Sequence, residues 1–505
     1  MRSACLAILL LFAASAHAEA LRWVHNGRPT TQAQQMGRVF EAAERYGLSP
    51  KAYASRLSPA QWQLVTAGSA DPELLRRYDQ ELSELTSRFV SHLRHGRVAP
   101  RAAGFDLPSA TRGNNQQLLQ LLATTEDVAA TLASLEPRVA PYQLLKKALP
   151  RYRELALDRT IQPLPPLPGH TLRIGDAYAG ASQLRRQLVI LGDLLDENAT
   201  RAESQIIDVA LAQALERFQV RHRLAADGAL GRQTLAALNV PMQQRVLQIE
   251  LSMERWRWLA ALPRADIAIN IPHFMLYALP RPGRPEDRLL EIPVVVGKIQ
   301  HRTPIFTAPI EEVVFNPYWN VPTSIVRNEL LPRIRKDVSY LQRHRFEIVR
   351  GAGDDAIVQE PSAVAIAALA AGELRLRQRP GADNALGPVK FVMPNQYSIY
   401  LHGTPEPNLF EAAQRAFSHG CIRVSDPAAL AEYVLANARG EWNAETVRTA
   451  LCGTTPRHVS LDVPVRVVVF YATAAATTSR GVLFAPDLYG HDARLEKLLA
   501  DSPAS

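Results

Sequence analysis

Cys421, His402, His419, Gly420 and Arg423 carry groups suited to covalent acyl transfer. Such chemistry needs a nucleophile whose proton is removed, donors for the developing oxyanion, and recognition of the acyl donor. Cys421 supplies the sulfur, and an adjacent imidazole with the charge of Arg423 favours its thiolate. Glycine at 420 lets the backbone expose consecutive N–H groups, so the amides of Gly420 and Cys421 are candidate oxyanion donors. Imidazole titrates near neutrality, so His402 or His419 can take and return the proton.

Rival readings of the same residues stay open at this point. Cys421 and Cys452 can form a disulfide in an oxidising compartment, and Cys452 unpaired reads as a buried thiol. A zinc site built from His402, His419 and Cys421 lacks a fourth ligand and a water-activating acid. Arg423 reads either as a carboxylate-recognising cation or as a solvated strand residue. Trp319 and Tyr400 suit packing and substrate contact equally. Arg375, Arg377 and Arg379 alternate with Leu374 and Leu376 and read as a solvated face.

These groups need elements to hold them. Strand alternation over Ser398-Ile399-Tyr400-Leu401-His402 puts Tyr400 and His402 on one face, so His402 leaves the core at the strand's end. Gly403-Thr404-Pro405 turns the chain, and Asn408 with Glu411 forms a capping box for a short helix leading to Phe417-Ser418-His419-Gly420-Cys421. After Ile422-Arg423-Val424, Ser425-Asp426-Pro427 starts a helix that runs to Gly440. A base on a rigid strand keeps better reach than one in the nucleophile's own loop, which favours His402 over His419.

Ile267, Ile269 and Ile271 alternate with polar or small residues, Val294-Val295-Val296 ends at Gly297, and Val313-Val314-Phe315 ends at Asn316-Pro317. With Val389 to Met393 and Val465 to Tyr471 they predict a mainly β domain over 265–472. Helical segments such as Ile325 to Arg335 and Ala363 to Ala371 interrupt it, which predicts a helical lid insertion over 323–385.

Upstream the period is helical. Leu74, Leu75, Tyr78, Leu82, Leu85, Phe89 and Leu93 recur at helical spacing between Asp71-Pro72 and Gly96, within a helical scaffold over 19–169. Pro163-Leu164-Pro165-Pro166-Leu167-Pro168-Gly169 cannot continue a helix and marks a boundary. A small helical unit over 170–243 and a linker helix over 244–264 follow. The tail over 473–505 loses periodicity, then Leu495, Leu498 and Leu499 suggest a short helix. The fold class is thus multidomain α+β.

Met1-Arg2, the apolar run Ala4 to Ala14 and Ala16-His17-Ala18 predict a signal peptide over 1–18, cleaved before Glu19, which places the mature chain in the periplasm. The run is shorter than the roughly 18 residues of a spanning helix, so membrane association is peripheral at most. The 505 residues carry a net charge of +8, which suits polyanions only loosely. No helix clusters Lys and Arg to fill a groove, which argues against nucleic acid.

The segment Phe218-Gln219, Leu224, Asp227-Gly228, Gly231, Thr234 and Leu238-Asn239 resembles the peptidoglycan-binding repeat module of wall enzymes. The pair His402-Gly403 followed by Ser418-His419-Gly420-Cys421 and Ile422-Arg423 resembles the signature of L,D-transpeptidases with the YkuD-type catalytic domain. Val295-Val296-Gly297-Lys298, Arg302-Thr303-Pro304, Phe315-Asn316-Pro317, Trp319-Asn320-Val321-Pro322 and Asn384-Ala385-Leu386-Gly387 extend the likeness over Asp266 to Tyr471. With signal, scaffold and wall-binding module, the chain is similar to the large Gram-negative branch of that family.

The resemblance implies catalysis on peptidoglycan stem peptides and glycan strands: Cys421 forms a thioester, D-Ala leaves, and a neighbouring stem amine completes a 3-3 cross-link in cell wall biogenesis. It further implies His402 as base, the Gly403 carbonyl orienting its ring, and His419 supporting the loop. Arg423, Tyr400, Trp319 and Ser418 are the expected substrate contacts, and no metal or organic cofactor is implied. Two other functions remain open, an L,D-carboxypeptidase or endopeptidase that uses water, and a non-catalytic wall-binding protein. Protein partners, oligomeric state and the physiological acceptor are not legible in the sequence.

Overall fold

The computed structural model describes residues 21–108, 115–195, 204–281, 283, 287–436 and 438–501. The expected signal sequence lies outside them. A hairpin, β1 (Val24–His25) with β2 (Arg28–Pro29), precedes α1 (Thr31–Glu41), α2 (Pro59–Ala67), α3 (Pro72–His95), α4 (Gln116–Thr124), α5 (Val128–Leu135) and α6 (Ala140–Leu157). The Asp71 carboxylate caps α3 by accepting from the Leu74 amide at 2.7 Å, with Pro72 in the first turn. Its buried stripe is the one the spacing predicts, and Gly96 ends it at φ 81°.

The next unit packs α7 (Ala181–Leu191), α8 (Val209–Arg221) and α9 (Arg232–Leu238) around Leu184, Leu188, Leu211, Leu215 and Phe218. Its motif residues mainly build the unit. Buried Gln219 donates to Asp227, to the Ala229 carbonyl and to Thr234 at 2.9, 2.9 and 3.1 Å, and accepts from the Gly228 amide at 2.9 Å. That network fixes the turn between α8 and α9. The proline-rich stretch packs Leu164 into the same core, where the Asn239 side chain holds both its amide and its carbonyl.

Helix α10 (Met242–Ala260), expected as a linker, is embedded instead. Leu251 and Trp258 enter the β-domain core, while Ile249 and Met253 pack with Tyr142 and Leu149 of α6.

Beyond it run β3 (Ile267–Asn270), β4 (Met275–Ala278), β5 (Leu290–Gly297), β6 (Phe306–Phe315), β7 (Trp319–Asn320), β8 (Phe346–Arg350), β9 (Ile357–Gln359), β10 (Arg375–Gln378), β11 (Val389–Val392), β12 (Leu401–His402), β13 (Ala416–Ser418), β14 (Ile422–Val424) and β15 (Arg457–Phe470). A nine-stranded sheet orders them β13-β5-β14-β12-β11-β6-β15-β3-β4, and β4 also pairs with β5. The strands from β5 round to β4 therefore close into a barrel, with β13 appended to β5, and alternate residues such as Val294, Val296, Phe391, Leu401 and Ile422 fill the interior.

The insertion departs from the helical expectation. It carries α11 (Thr323–Ile325), a π-helical turn Val326–Leu330, α12 (Leu331–Lys336), α13 (Ser339–Arg343) and α14 (Ala363–Ala371), but also β8, β9 and β10, which join β7 just ahead of it in a sheet ordered β7-β10-β8-β9. Its core includes Ile334, Leu341, Ile348, Leu369 and Leu376. Arg377 does not lie on a solvated face: it is 4% exposed, pairs with Glu347 at 2.9 Å and covers the Tyr318 ring at 4.0 Å. Alternation gave its face correctly but not what covers that face.

Three further local expectations change. Only Leu401–His402 of the segment from Ser398 pairs as a strand, because Ser398 takes a left-handed φ of 56° and breaks the extended run. Asn408 and Glu411 form no capping box, since Pro407–Phe410 is a 3-10 turn without a side-chain cap. The helix after Asp426, α15 (Pro427–Leu435), stops before Gly440 and is followed by α16 (Ala444–Leu451).

The tail is also ordered. A hairpin of β16 (Ala474–Thr477) and β17 (Gly481–Phe484) packs into the α6–α10 core, and α17 (His491–Asp501) is tied to α10 by a buried Arg255–Asp492 pair at 2.5 Å.

Candidate active site

Strand β14 runs parallel to β12, with His402 opposite Arg423 and the Ile422 amide donating to the Tyr400 carbonyl at 3.1 Å. This register seats Cys421 beside Tyr400, one residue before the β14 strand that pairs with His402, and its Sγ donates to the Ser398 carbonyl at 3.8 Å. His402 is 5% exposed, and its Nδ1 lies 2.6 Å from the Gly403 carbonyl. A carbonyl can only accept, so Nδ1 carries the proton and Nε2 keeps its lone pair. Burial, aided by the Arg423 and Lys390 cations, pushes the His402 pKa down to about 3. The imidazole is therefore neutral at pH 7 and able to accept a proton.

The same surroundings correct the expectation of a thiolate. Burial pushes the Cys421 thiol up, while the Tyr400 amide and hydroxyl, Lys390 and Arg423 pull it down by less. The resting pair is thus thiol and neutral imidazole rather than an ion pair. Cys421 and Cys452 are both free, and Cys452 is exposed rather than buried. The Tyr400 hydroxyl meets both Cys421 and the Trp319 side chain, and burial keeps the phenol protonated. Trp319 packs against Phe346 in the insertion.

The nucleophile's loop is braced from within and below. Ser418 is 3% exposed; its hydroxyl accepts from the Gly420 amide at 3.0 Å and donates to the Cys421 carbonyl at 2.5 Å. Ser418 therefore shapes the loop, its hydroxyl being taken up inside it. The Gly420 amide is occupied, which removes it from the oxyanion pair in this conformation. The Cys421 amide has no partner among the described residues and is the remaining donor of the two. Gly420 needs glycine because its φ is 119°.

Below the loop, the Thr303 hydroxyl donates to the Gly420 carbonyl and accepts from the Gly297 amide, both at 2.8 Å. The Tyr489 hydroxyl accepts from the Thr303 amide at 3.2 Å and donates to the Gly297 carbonyl. The C-terminal segment thus supports the catalytic loop through one intermediate residue. Thr303→Val keeps the volume but orphans two buried backbone groups, at about 1–3 kcal/mol each. Urea denaturation should show a loss of that order, and donor acylation should fall mainly in kcat; unchanged stability and kcat would show that the brace is dispensable.

His419 points elsewhere. Its Nε2 sits 2.7 Å from the Glu329 carboxylate on the insertion's π-helical turn, and its ring lies 5.1 Å from that of His301. Arg423 pairs with Glu406 at 2.7 Å, so a substrate carboxylate would have to compete for it.

Lys390, which the sequence reading missed, stands opposite His402 in the β11–β12 register and lies 4.4 Å over the Tyr400 ring. Its signal was a lone cation alternating with wholly buried Val389 and Phe391. Glu329 and Tyr489 were missed too, and they act through tertiary contacts that leave no local pattern; Thr303 stood in the family likeness, but without a role.

Residues 264–465 match the family described as "L,D-transpeptidase catalytic domain" (YkuD), residues 15–149 a "Scaffold domain", and residues 179–238 a "Putative peptidoglycan binding domain". The chain therefore carries a catalytic domain of the L,D-transpeptidase family together with scaffold and peptidoglycan-binding domains. A protein of Haemophilus influenzae described as "Putative L,D-transpeptidase" is 33% identical over 282 residues, 54% of this chain and 54% of that protein. The chain thus spans about half the length of the curated relative it matches. The crystal structure of L,D-transpeptidase 3 from Mycobacterium tuberculosis shares 13% identity, covering 40% of this chain and 60% of that one at a TM-score of 0.18. At that score the likeness says nothing further about this chain.

Proposed function

We propose that the chain is a periplasmic L,D-transpeptidase that forms 3-3 cross-links between peptidoglycan stem peptides. The observation that carries this reading is a neutral, buried His402, oriented by the Gly403 carbonyl and held in the strand beside the Cys421 loop. Nε2 of His402 takes the thiol proton as Sγ attacks the carbonyl carbon of the third residue's L-centre. The bond to the fourth residue breaks, and D-Ala leaves as an amine with that proton. A stem amine then attacks the thioester, and the departing sulfur is reprotonated through His402. The Cys421 amide and charge from Lys390 stabilise the anionic stage.

Purified protein incubated with a tetrapeptide stem, with and without an acceptor stem, tests the reading by product mass. A 3-3 linked dimer is expected only when acceptor is present. Tripeptide at the same rate in both reactions would mean that water is the acceptor and the enzyme a carboxypeptidase. Absence of any donor turnover would leave a wall-binding protein.

The module over 170–243 supplies wall attachment in this reading, although its motif side chains are occupied in building its own turn. Binding therefore falls to its surface. The full chain should pellet with purified sacculi, and a chain lacking the module should stay mostly in solution; equal pelleting of both would remove the assignment.

The insertion gates the site. It reaches the nucleophile's loop through Glu329 and the barrel through Asp354, whose carboxylate lies 2.9 Å from His458. Glu329→Gln should shift the donor KM several-fold while leaving thiol alkylation intact; unchanged steady-state constants would contradict a gate.

A further inference from the structure

One transverse row of the barrel leads from His402 to the insertion. Arg423 on β14 stands opposite His402 on β12, His402 opposite Lys390 on β11, Lys390 opposite Val314 on β6, and Val314 opposite His458 on β15. Residues directly opposite across paired strands point to one face, so His458 shares the outward face of His402. Glu312, two residues before Val314 on β6, shares it too.

The His458 ring meets a carboxylate at each nitrogen. Its Nδ1 lies 2.9 Å from Glu312 and its Nε2 lies 2.9 Å from Asp354. Glu312 belongs to the barrel, whereas Asp354 sits between β8 and β9 of the insertion, where the Arg377 guanidinium donates to its carbonyl at 3.0 Å and to that of Gly353 at 3.3 Å. The Asp354 carboxylate is thus presented from an anchored turn. A neutral imidazole has one N–H and one lone pair, so one of the two contacts would then set a lone pair against a carboxylate. Both are hydrogen bonds only when the ring carries both protons. Loss of one proton leaves two carboxylates facing each other across the joint between barrel and insertion. Lys390 is another cation in their field, and Arg457, beside His458 on β15, lies over the Trp442 ring instead.

We propose that His458 is a proton-controlled clasp: its doubly protonated ring seats the insertion on the barrel, and loss of one ring proton releases it. The Asp354 contact, opposed by partial burial and joined by the Glu312 contact, raises the pKa of His458 above the ordinary imidazole value. The clasp is therefore complete below that ordinary value and is lost as pH rises through the raised one. The His458 side chain is 48% exposed, so its effect is modest. Its consequence for turnover rests on the reading of the insertion as a gate.

Hydrogen exchange of the β8–β9 hairpin, residues 346–359, in the full chain tests the clasp without turnover. Between about pH 6 and about pH 8, exchange corrected for its intrinsic rate should speed up roughly two- to fivefold, the range for an exposed ion pair. His458→Gln should exchange fast at both pH values and His458→Arg slowly at both, since one lacks the charge and the other cannot lose it. Asp354→Asn, which leaves His458 in place, should blunt the pH response. Donor KM in His458→Gln should shift by a similar factor with kcat nearly unchanged. Exchange that follows the clasp while KM stays at the wild-type value would uphold the clasp and refute the gate. The proposal is overturned by wild-type exchange without the pH response, or by a response that survives whole in either His458→Gln or Asp354→Asn.

Discussion

His402→Gln lowers acylation by a tetrapeptide stem on the order of 100-fold or more, the range for loss of a general base. Glutamine is close to imidazole in size and can still donate to the Gly403 carbonyl, so the strand and its register should survive. What disappears is the unprotonated ring nitrogen. Because burial and the Arg423 and Lys390 cations hold the ring's pKa near 3, it accepts a proton across the whole neutral range and has no acid limb of its own there. The kcat of the wild type should accordingly show no His402 titration between about pH 5 and pH 8. His419→Gln disturbs the contacts to Glu329 and His301 and should do less harm. Equal losses in the two variants, measured by single-turnover acylation, would return the base to an open question.

The second large effect is in pH. Alkylation of Cys421 should rise about tenfold per unit between about pH 6 and pH 9, since the reactive species is the thiolate and burial lifts the thiol above its ordinary value. The sign follows from the group: a raised thiol pKa leaves the neutral form in excess throughout that range. Lys390→Met removes a cation that favours the thiolate, so its profile should move to still higher pH. Iodoacetamide rates followed by mass at Cys421 separate this site from exposed Cys452. A rate already at its plateau near pH 6 would mean a resting thiolate–imidazolium pair, as the sequence alone suggested.

That suggestion shows where the sequence is informative. The chemistry was readable because residue type and spacing carry it: the nucleophile, both histidines and the glycine are contiguous or on one short strand. Strand ends at Gly297 and at Asn316-Pro317 were readable from local propensity, as was α3 from its caps and stripe. The thiol's state was not readable, because burial is a property of the closed barrel and outweighs the two cations. The Gly420 amide looked free only while the position of the Ser418 hydroxyl was unknown. Arg377 looked solvated because alternation assigns a face but cannot say that Tyr318 covers it. The tail looked aperiodic since a short alanine-rich hairpin, Ala474–Thr477 with Gly481–Phe484, carries little pattern of its own and is fixed by the α6–α10 core.

The central claim is that Cys421 carries the acyl group. Intact-protein mass spectrometry after rapid mixing with a tetrapeptide stem tests it most directly. An adduct equal to the donor minus D-Ala should appear, map to Cys421 on digestion, decay when an acceptor stem is added, and be absent from Cys421→Ala. Product formation by Cys421→Ala, or an adduct that maps to Cys452, would contradict it.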